Sequence, residues 1–386
     1  MPACPPLAPE HDALLRLLHS GARAGTLRRL LDSHGGATAA VAAGPRDWAS
    51  HGLPADACKA IRSPDAEAMA RSAAWLAQPG RHLLGWRDEA YPPLLRRTAS
   101  PPAMLFVAGD PGLLWQPAVA IVGSRRATAG GRANAAAFAD ALSRTGLCIG
   151  SGLAAGIDAA AHEATLAAGG STVAVLGTGP DVPYPARHRT LLERVARAGA
   201  VVSEHPPGTG ALRQHFPSRN RILAGLSLAT VVVEAASRSG ALITARLAAE
   251  AGREVFALPG SIHNPMARGC HRLIRDGAQL VESPAEVVEA ITPMVADLAR
   301  TLRGVLEPGD TATPTAPAPA HAASGSADTD PGYSRLWQAL GHDPTAMDEL
   351  VERSGLTAAH ASSILLALEL EGRVASQHGR YTRIGA

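Results

Sequence analysis

The stretch AVAIVGSRRATAGGRANAAAFADALSRTGLCIGSGLAAGIDAAAHEATLAAGGSTVAVLGTG, residues 118–179, carries the pattern that decides the fold. Three short apolar runs, Ala118–Val122, Leu147–Ile149 and Thr172–Leu176, each lead into Gly or Ser. Between them Arg132–Arg144 and Ala159–Ala168 have helical periodicity. Short apolar runs bounded by Gly read as parallel strands, because helices cover both faces of such a strand. The alternation continues through apolar runs at Ala200–Ser203, Ala229–Val233, Glu254–Leu258 and Gln279–Val281, with helical stretches at Arg189–Ala198 and Leu242–Ala251. Strand and helix in turn predict a doubly wound α/β parallel sheet over residues 82–292. Ligands of such sheets lie at the carboxyl ends of the strands.

Outward from this core, residues 10–80 are helical. Leu14, Leu15, Leu17 and Leu18 precede Gly21, Leu27, Leu30 and Leu31 follow it, and Gly35-Gly36 ends the second pattern. The spacing suits a small bundle of helix-hairpin-helix type, or a helical cap with no ligand. Residues 304–332 are rich in Pro, Ala, Thr, Ser and Gly and read as a flexible linker. Helical periodicity resumes over 333–384: Met347, Leu350 and Val351, a turn at Gly355-Leu356-Thr357, then Ile364, Leu365, Leu368 and Leu370. Gly372-Arg373-Val374 and Gly379-Arg380-Tyr381 would form a two-stranded wing, giving a winged helix. Such a module contacts DNA or docks proteins.

Composition limits the function classes. The chain has 386 residues, 46% hydrophobic and 18% charged, with a net charge of only +2. It is globular in character, and any basic site must be local. Cys4, Cys58, Cys148 and Cys270 form no C-x-x-C pair, which fits a reducing compartment and predicts neither a disulfide framework nor a zinc site. No signal peptide and no membrane-length apolar run is legible, so a cytoplasmic protein is expected.

The chemistry-bearing residues stand at the strand ends. Gly123-Ser124-Arg125 follows the first strand, with Thr128, Gly130 and Gly131 opening a helix. Small residues let backbone approach an anion, the helix start adds N–H groups, and Arg125 adds a bidentate phosphate contact. The motif is neither a G-x-G-x-x-G fingerprint nor a P-loop. Ser151-Gly152 and Gly156-Ile157-Asp158 repeat the pattern, with Asp158 as a helix cap and His162 as a structural histidine. Gly177-Thr178-Gly179 leads to Tyr184, Arg187 and Arg189, and a later loop leads to Phe216, Arg219, Asn220 and Arg221. Several anion-holding turns and Arg side chains on one sheet edge fit a polyanion better than a small phosphate. Phe216 and Tyr184 would either stack bases or pack in the core. No nucleophile elbow, carboxylate pair or metal spacing is legible, so no catalytic residue and no cofactor are expected.

Taken together, Ala120–Thr128, Ser151–His162, Val173–Pro185, Phe216–Ser227, Val231–Glu250 and Glu254–Glu282 resemble the DNA-processing protein A family, DprA or Smf. Pro259–Pro265, Arg268–Ile274 and Asp276–Ala278 are its most specific part, and Leu84-Gly85-Trp86 and Tyr91–Leu95 fit as a lead-in. The resemblance implies an extended Rossmann-like core between an N-terminal domain of SAM or helix-hairpin-helix type and a C-terminal winged helix. It implies a non-enzymatic, homodimeric single-stranded DNA binder that loads the recombinase RecA onto incoming DNA in natural transformation and helps displace single-strand-binding protein. The implied DNA-binding residues are Gly123, Ser124, Arg125, Ser151, Gly152, Gly156, Arg187, Phe216, Arg219, Asn220 and Arg221. The implied dimer surface includes His263, Cys270, Leu273 and Ile274. Ala155, Ala186 and Ser218 stand where basic residues are common in the family, which thins the basic pocket.

A nucleotide phosphoribohydrolase on a similar core is the competing reading. It would need a Gly-rich Pro-Gly-Gly-x-Gly-Thr turn followed by a catalytic Glu. The nearest match, Ser239-Gly240-Ala241, has no Glu on the next turn.

Overall fold

The computed structural model describes residues 7–306, 336–337, 339–340, 345–357, 361, 364–365, 368–369, 373–377 and 380–383. The chain forms two compact units, Met1–Leu306 and Glu307–Ala386. The first opens with helices α1 (Pro9–His19), α2 (Ala24–His34), α3 (Ala37–Ala42), α4 (Pro45–Ser50), α5 (Ala55–Arg62) and α6 (Ala66–Leu76). Leu14, Leu17, Leu27, Leu30 and Leu31 are buried, as their 3–4 residue spacing predicts. Then come β1 (Arg81–Gly85), α7 (Pro93–Arg96), β2 (Met104–Gly109), β3 (Ala118–Val122), α8 (Ala129–Arg144), β4 (Cys148–Ser151), α9 (Ile157–Ala167) and β5 (Thr172–Leu176). The rest is α10 (Arg189–Ala198), β6 (Ala200–Ser203), α11 (His215–Leu226), β7 (Ala229–Val232), α12 (Ala241–Glu250), β8 (Glu254–Ala257), α13 (Arg268–Arg275), β9 (Gln279–Leu280) and α14 (Pro284–Leu306).

One nine-stranded sheet holds all nine strands, in the order β1-β2-β6-β5-β4-β3-β7-β8-β9. Every apolar run named above forms a strand in it. From β6 to β9 all neighbours are parallel. The sheet is not wholly parallel, however: β2 runs antiparallel to β6, and β1 antiparallel to β2. The connection between β1 and β2 runs over residues 86–103 and carries α7. The chain proceeds β3, β4, β5, β6 to one side and then returns to place β7 on the other side of β3. The order therefore reverses between β3 and β7, where such sheets open a ligand crevice.

Alternate residues of β3 face opposite layers, as strand geometry requires. Val119 and Ile121 pack with Phe138 and Leu142 of α8, Ile157 of α9 and Val287 and Ile291 of α14. Ala118, Ala120 and Val122 pack with Ile222, Leu223 and Leu226 of α11, Ala241 and Ala245 of α12 and Cys270 of α13. A third cluster joins the N-terminal helices to Met104 and Phe106 of β2 and to Leu191, Leu192 and Val195 of α10. Trp75 meets Phe106 edge-on at 5.7 Å between ring centroids. One core thus spans the expected boundary near residue 80.

The expected linker begins inside α14, which runs to Leu306; its remainder, 307–332, lies outside the described residues. In the second unit a helix, Met347–Ser354, precedes strands Val374–Gln377 and Arg380–Arg383, paired antiparallel as the predicted wing. Thr345–Ala346 pairs with the second of these strands. Leu336, Leu340, Leu350, Leu356, Ile364, Leu365, Leu368 and Val374 form this unit's core. Leu370, Gly372 and Gly379 lie outside the described residues, as does Cys4. No helix among the described residues is long and apolar enough to cross a membrane.

Candidate nucleic-acid interface

Because β3 to β7 are parallel, the loops that follow them share one edge of the sheet. Arg125, after β3, is exposed, and its guanidinium carbon lies 5.5 Å from the centroid of the Phe216 ring. Phe216, in the first turn of α11, in turn meets Tyr184 at 4.8 Å between centroids. Tyr184 follows β5 and is 42% exposed. A guanidinium and two aromatic rings, from the segments after β3, β5 and β6, thus form one platform, and the alternative of core packing does not hold for Tyr184. One residue before Phe216, His215 stacks on His205 at 3.8 Å, and burial holds the His205 imidazole down to about 4, which leaves it neutral at neutral pH.

Arg126, Arg187, Arg213 and Arg238 are also exposed on loops of this edge. None of the four, nor Arg125, forms an ion pair among the described residues. Unpaired guanidinium groups with their donors in water are the equipment for phosphate contacts. Sequence reasoning singled out Arg187 but passed over Arg126, Arg213 and Arg238. Their signal was position alone: each lies in a segment between a strand's carboxyl end and the next helix.

Beneath the rim lies a second layer in which every charge already has a partner. Glu234, just past β7, is buried and occupies the crevice between β3 and β7. Its carboxylate accepts from Thr128 N (2.9 Å), Thr128 Oγ1 (2.7 Å) and Asn264 Nδ2 (3.2 Å). Thr128 Oγ1 accepts from Gly131 N at 2.9 Å. The start of α8, expected to hold a ligand anion, thus holds an internal carboxylate, which the helix dipole favours equally. Ser124 N donates to Glu234 O at 2.7 Å, and Ser124 Oγ lies 3.4 Å from Met266 Sδ. A Cβ at Gly123 would stand 2.6 Å from Ile157 Cγ1, so the close approach needs glycine. With this crevice filled by a carboxylate, the nucleotide-enzyme reading loses its usual phosphate position.

Of the expected DNA contacts, Ser151, Gly152, Arg219 and Asn220 lie below the rim, and all four are buried. Ser151 Oγ donates to Ile121 O at 2.6 Å. Gly152 N donates to Asp158 Oδ2 at 3.1 Å, and a Cβ at Gly152 would overlap the Arg219 guanidinium. Arg219, 5% exposed, donates to Val175 O and, at 2.9 Å, to Asn220 Oδ1. Asn220 Nδ2 donates to Gly240 O at 3.4 Å. Burial pushes the Asp158 carboxyl up, with Arg219 the main charge opposing. Asp158 does not cap α9 either: it lies inside the first turn and reaches back to Gly152 N and Ala154 N, while Gly156, with φ at 84°, precedes the helix. Arg221 is half-buried and ion-paired with Glu204, whose carboxyl burial pushes up against that pairing. His162 is buried, with Nδ1 2.7 Å from Thr172 Oγ1.

The expected dimer residues separate in the same way. Cys270 is buried, its thiol against Val232 O and Val233 O. Leu273 and Ile274 are partly buried against the same core. His263 is exposed, beside Ile262 at 75% exposure, and Leu280 is exposed on the outer strand β9.

Comparison with known proteins bears on the whole arrangement. Residues 82–292 match the family model described as DNA recombination-mediator protein A, and residues 314–380 match the DprA winged helix domain. Protein Smf of Escherichia coli K12 is 40% identical over 314 residues, which are 81% of this chain and 80% of that protein. DNA processing protein DprA of Streptococcus pneumoniae is 46% identical over 201 residues, 52% of this chain and 71% of that one. The solved structure of DNA processing protein A from Streptococcus pneumoniae superposes with a TM-score of 0.65 at 35% identity, covering 73% of this chain and 98% of that chain. That of DNA processing protein A from Helicobacter pylori, reported for its single-stranded DNA binding mode, gives 0.50 at 27% identity, covering 55% and 96%.

Proposed function

Because this chain belongs to the DNA recombination-mediator protein A family, we propose that it binds single-stranded DNA along the rim of its sheet and serves as a recombination mediator. The observation that carries this reading is the exposed platform of Arg125, Phe216 and Tyr184. Aromatic faces accept any base by stacking, and unpaired arginines follow the backbone, so binding would be tolerant of sequence and sensitive to salt. Arg125, Arg126, Arg187, Arg213 and Arg238 would contact phosphates, with Gly123, Ser124 and Gly156 shaping the loops between them. Arg219, Asn220, Ser151 and Gly152 would hold that surface from below, and Arg221 would do so through Glu204.

The mediator role comprises loading RecA onto incoming strands in natural transformation and helping to displace single-strand-binding protein, in the cytoplasm. The chain would act as a homodimer through the surface that carries Ile262 and His263. It would act by binding, with no catalytic step. Gel shifts with single- and double-stranded DNA of one sequence, with and without RecA, test the proposal. Single-stranded DNA should be retarded at lower protein concentration, and RecA should enter the complex. Equal retardation of both forms, or none, would contradict the reading.

A further inference from the structure

Three side chains that the rim does not use meet in the N-terminal helices. His34 ends α2, Asp47 lies in α4, and His51 follows α4 directly. Their ligand atoms all lie within 4.8 Å of one another. Asp47 Oδ2 stands 2.7 Å from His34 Nε2 and 3.3 Å from His51 Nδ1. The side chains are 22%, 34% and 23% exposed for His34, Asp47 and His51, so solvent reaches the cluster.

The hydrogen bonds around His51 are compatible with a ligand role. Ser33 Oγ donates its single hydrogen to Arg29 O at 2.9 Å. His51 Nε2 lies 3.1 Å from the same Ser33 Oγ, and with the ring hydrogen on Nε2 the neutral ring carries a lone pair on Nδ1. That lone pair faces two acceptors, Asp47 O at 3.0 Å and Asp47 Oδ2 at 3.3 Å. Ser50 Oγ, 3.5 Å away, donates to the same Asp47 O at 2.7 Å and so gives Nδ1 no hydrogen. In that tautomer the lone pairs of Nδ1 and Asp47 converge, the arrangement in which ligand atoms hold a cation.

We infer that His34 Nε2, Asp47 Oδ2 and His51 Nδ1 bind a divalent first-row transition metal, foremost Zn²⁺. Two imidazoles and one carboxylate suit zinc at about 2.0–2.2 Å, whereas Ca²⁺ and Mg²⁺ take oxygen ligands. On binding, the hydrogen between His34 Nε2 and Asp47 gives way to two metal bonds, and the His34 ring carries its hydrogen on Nδ1. Ser33 orients His51 from behind, as the outer partner of a metal-bound histidine does. The exposed side leaves a fourth position to water. The metal would tie the end of α2 to α4 across α3, two helices of only six residues each.

The test uses the full chain, stripped with chelator and returned to metal-free buffer. Equilibrium dialysis with Zn²⁺ should give one tight equivalent, lost in His34→Ala and in Asp47→Asn, with circular dichroism reporting that both variants are folded. Ser33→Ala should weaken the site by about tenfold without removing it. Uptake that is equal in parent and variants, or seen only at millimolar metal, would overturn the site. X-ray absorption of the zinc-loaded parent decides even where a variant fails to fold: two imidazoles with oxygen support the site, and sulfur ligation overturns it.

Discussion

The outer rim and the inner crevice of one sheet edge are built from the same residue types to opposite ends. In the crevice Glu234 and Thr128 bind each other, Asp158 binds nearby backbone, and Arg219 binds Val175 O and Asn220. On the rim, Arg125, Arg187 and Arg238 face water with no ion-pair partner among the described residues, and exposed Tyr184 meets half-buried Phe216 at a tilt of 46°. The contrast teaches that an arginine after a strand is not a ligand contact by type. An arginine whose donors are taken up inside the protein shapes a surface, and one whose donors lie in water can bind phosphate.

This division of labour can be broken experimentally at both layers. The largest effect is expected in the crevice. Arg219→Ala removes the main charge opposing buried Asp158 and leaves Val175 O without its donor, at a cost of about 3 kcal/mol. Thermal or urea unfolding measures it, and a variant as stable as the parent would show the inner layer to be dispensable. On the rim, Phe216→Ala should weaken single-stranded DNA binding by about 1–3 kcal/mol with little change in melting temperature, read by fluorescence anisotropy.

A third effect comes from the buried layer. Burial lowers the His162 imidazole to about 3, and Arg219 and His188, the charges facing it, push in the same direction. The unfolded chain has an ordinary histidine near 6.5 and so binds one more proton between those values. Stability should therefore fall as pH drops from about 6.5 towards 3, by up to ~1.4 kcal/mol per pH unit. Urea unfolding across that range, parent against His162→Asn, checks the slope, and identical slopes would contradict it. The smallest change is expected for Arg238→Ala. Losing one phosphate contact should flatten the plot of log affinity against log salt by about 0.7.

The strands of the core were legible because each is a short apolar run that ends in small residues, covered on both faces. The run Ala103–Ala108 met the same criterion, between Pro102 and Gly109, yet its antiparallel place beside β6 is a tertiary fact that periodicity does not encode. The site was legible as an edge but not as two layers. Part of that distinction lay in the sequence after all. Arg219, Ile222, Leu223 and Leu226 stand at positions i, i+3, i+4 and i+7 of α11, and all four are buried. Cys270 likewise shares an inward stripe with Leu273 and Ile274. What spacing could not supply was the partner that makes a buried arginine tolerable, since Val175 and Asp158 are remote in sequence. The platform of Arg125, Phe216 and Tyr184 was hidden for the same reason, since its members follow three different strands.

The most direct test of the rim as the DNA-binding surface is the affinity of Arg125→Ala for a single-stranded oligonucleotide at fixed salt, with its melting temperature measured alongside. The reading predicts roughly tenfold or weaker binding, from loss of one cation and of its packing on Phe216, at unchanged melting temperature. Affinity equal to that of the parent in a folded variant would contradict it.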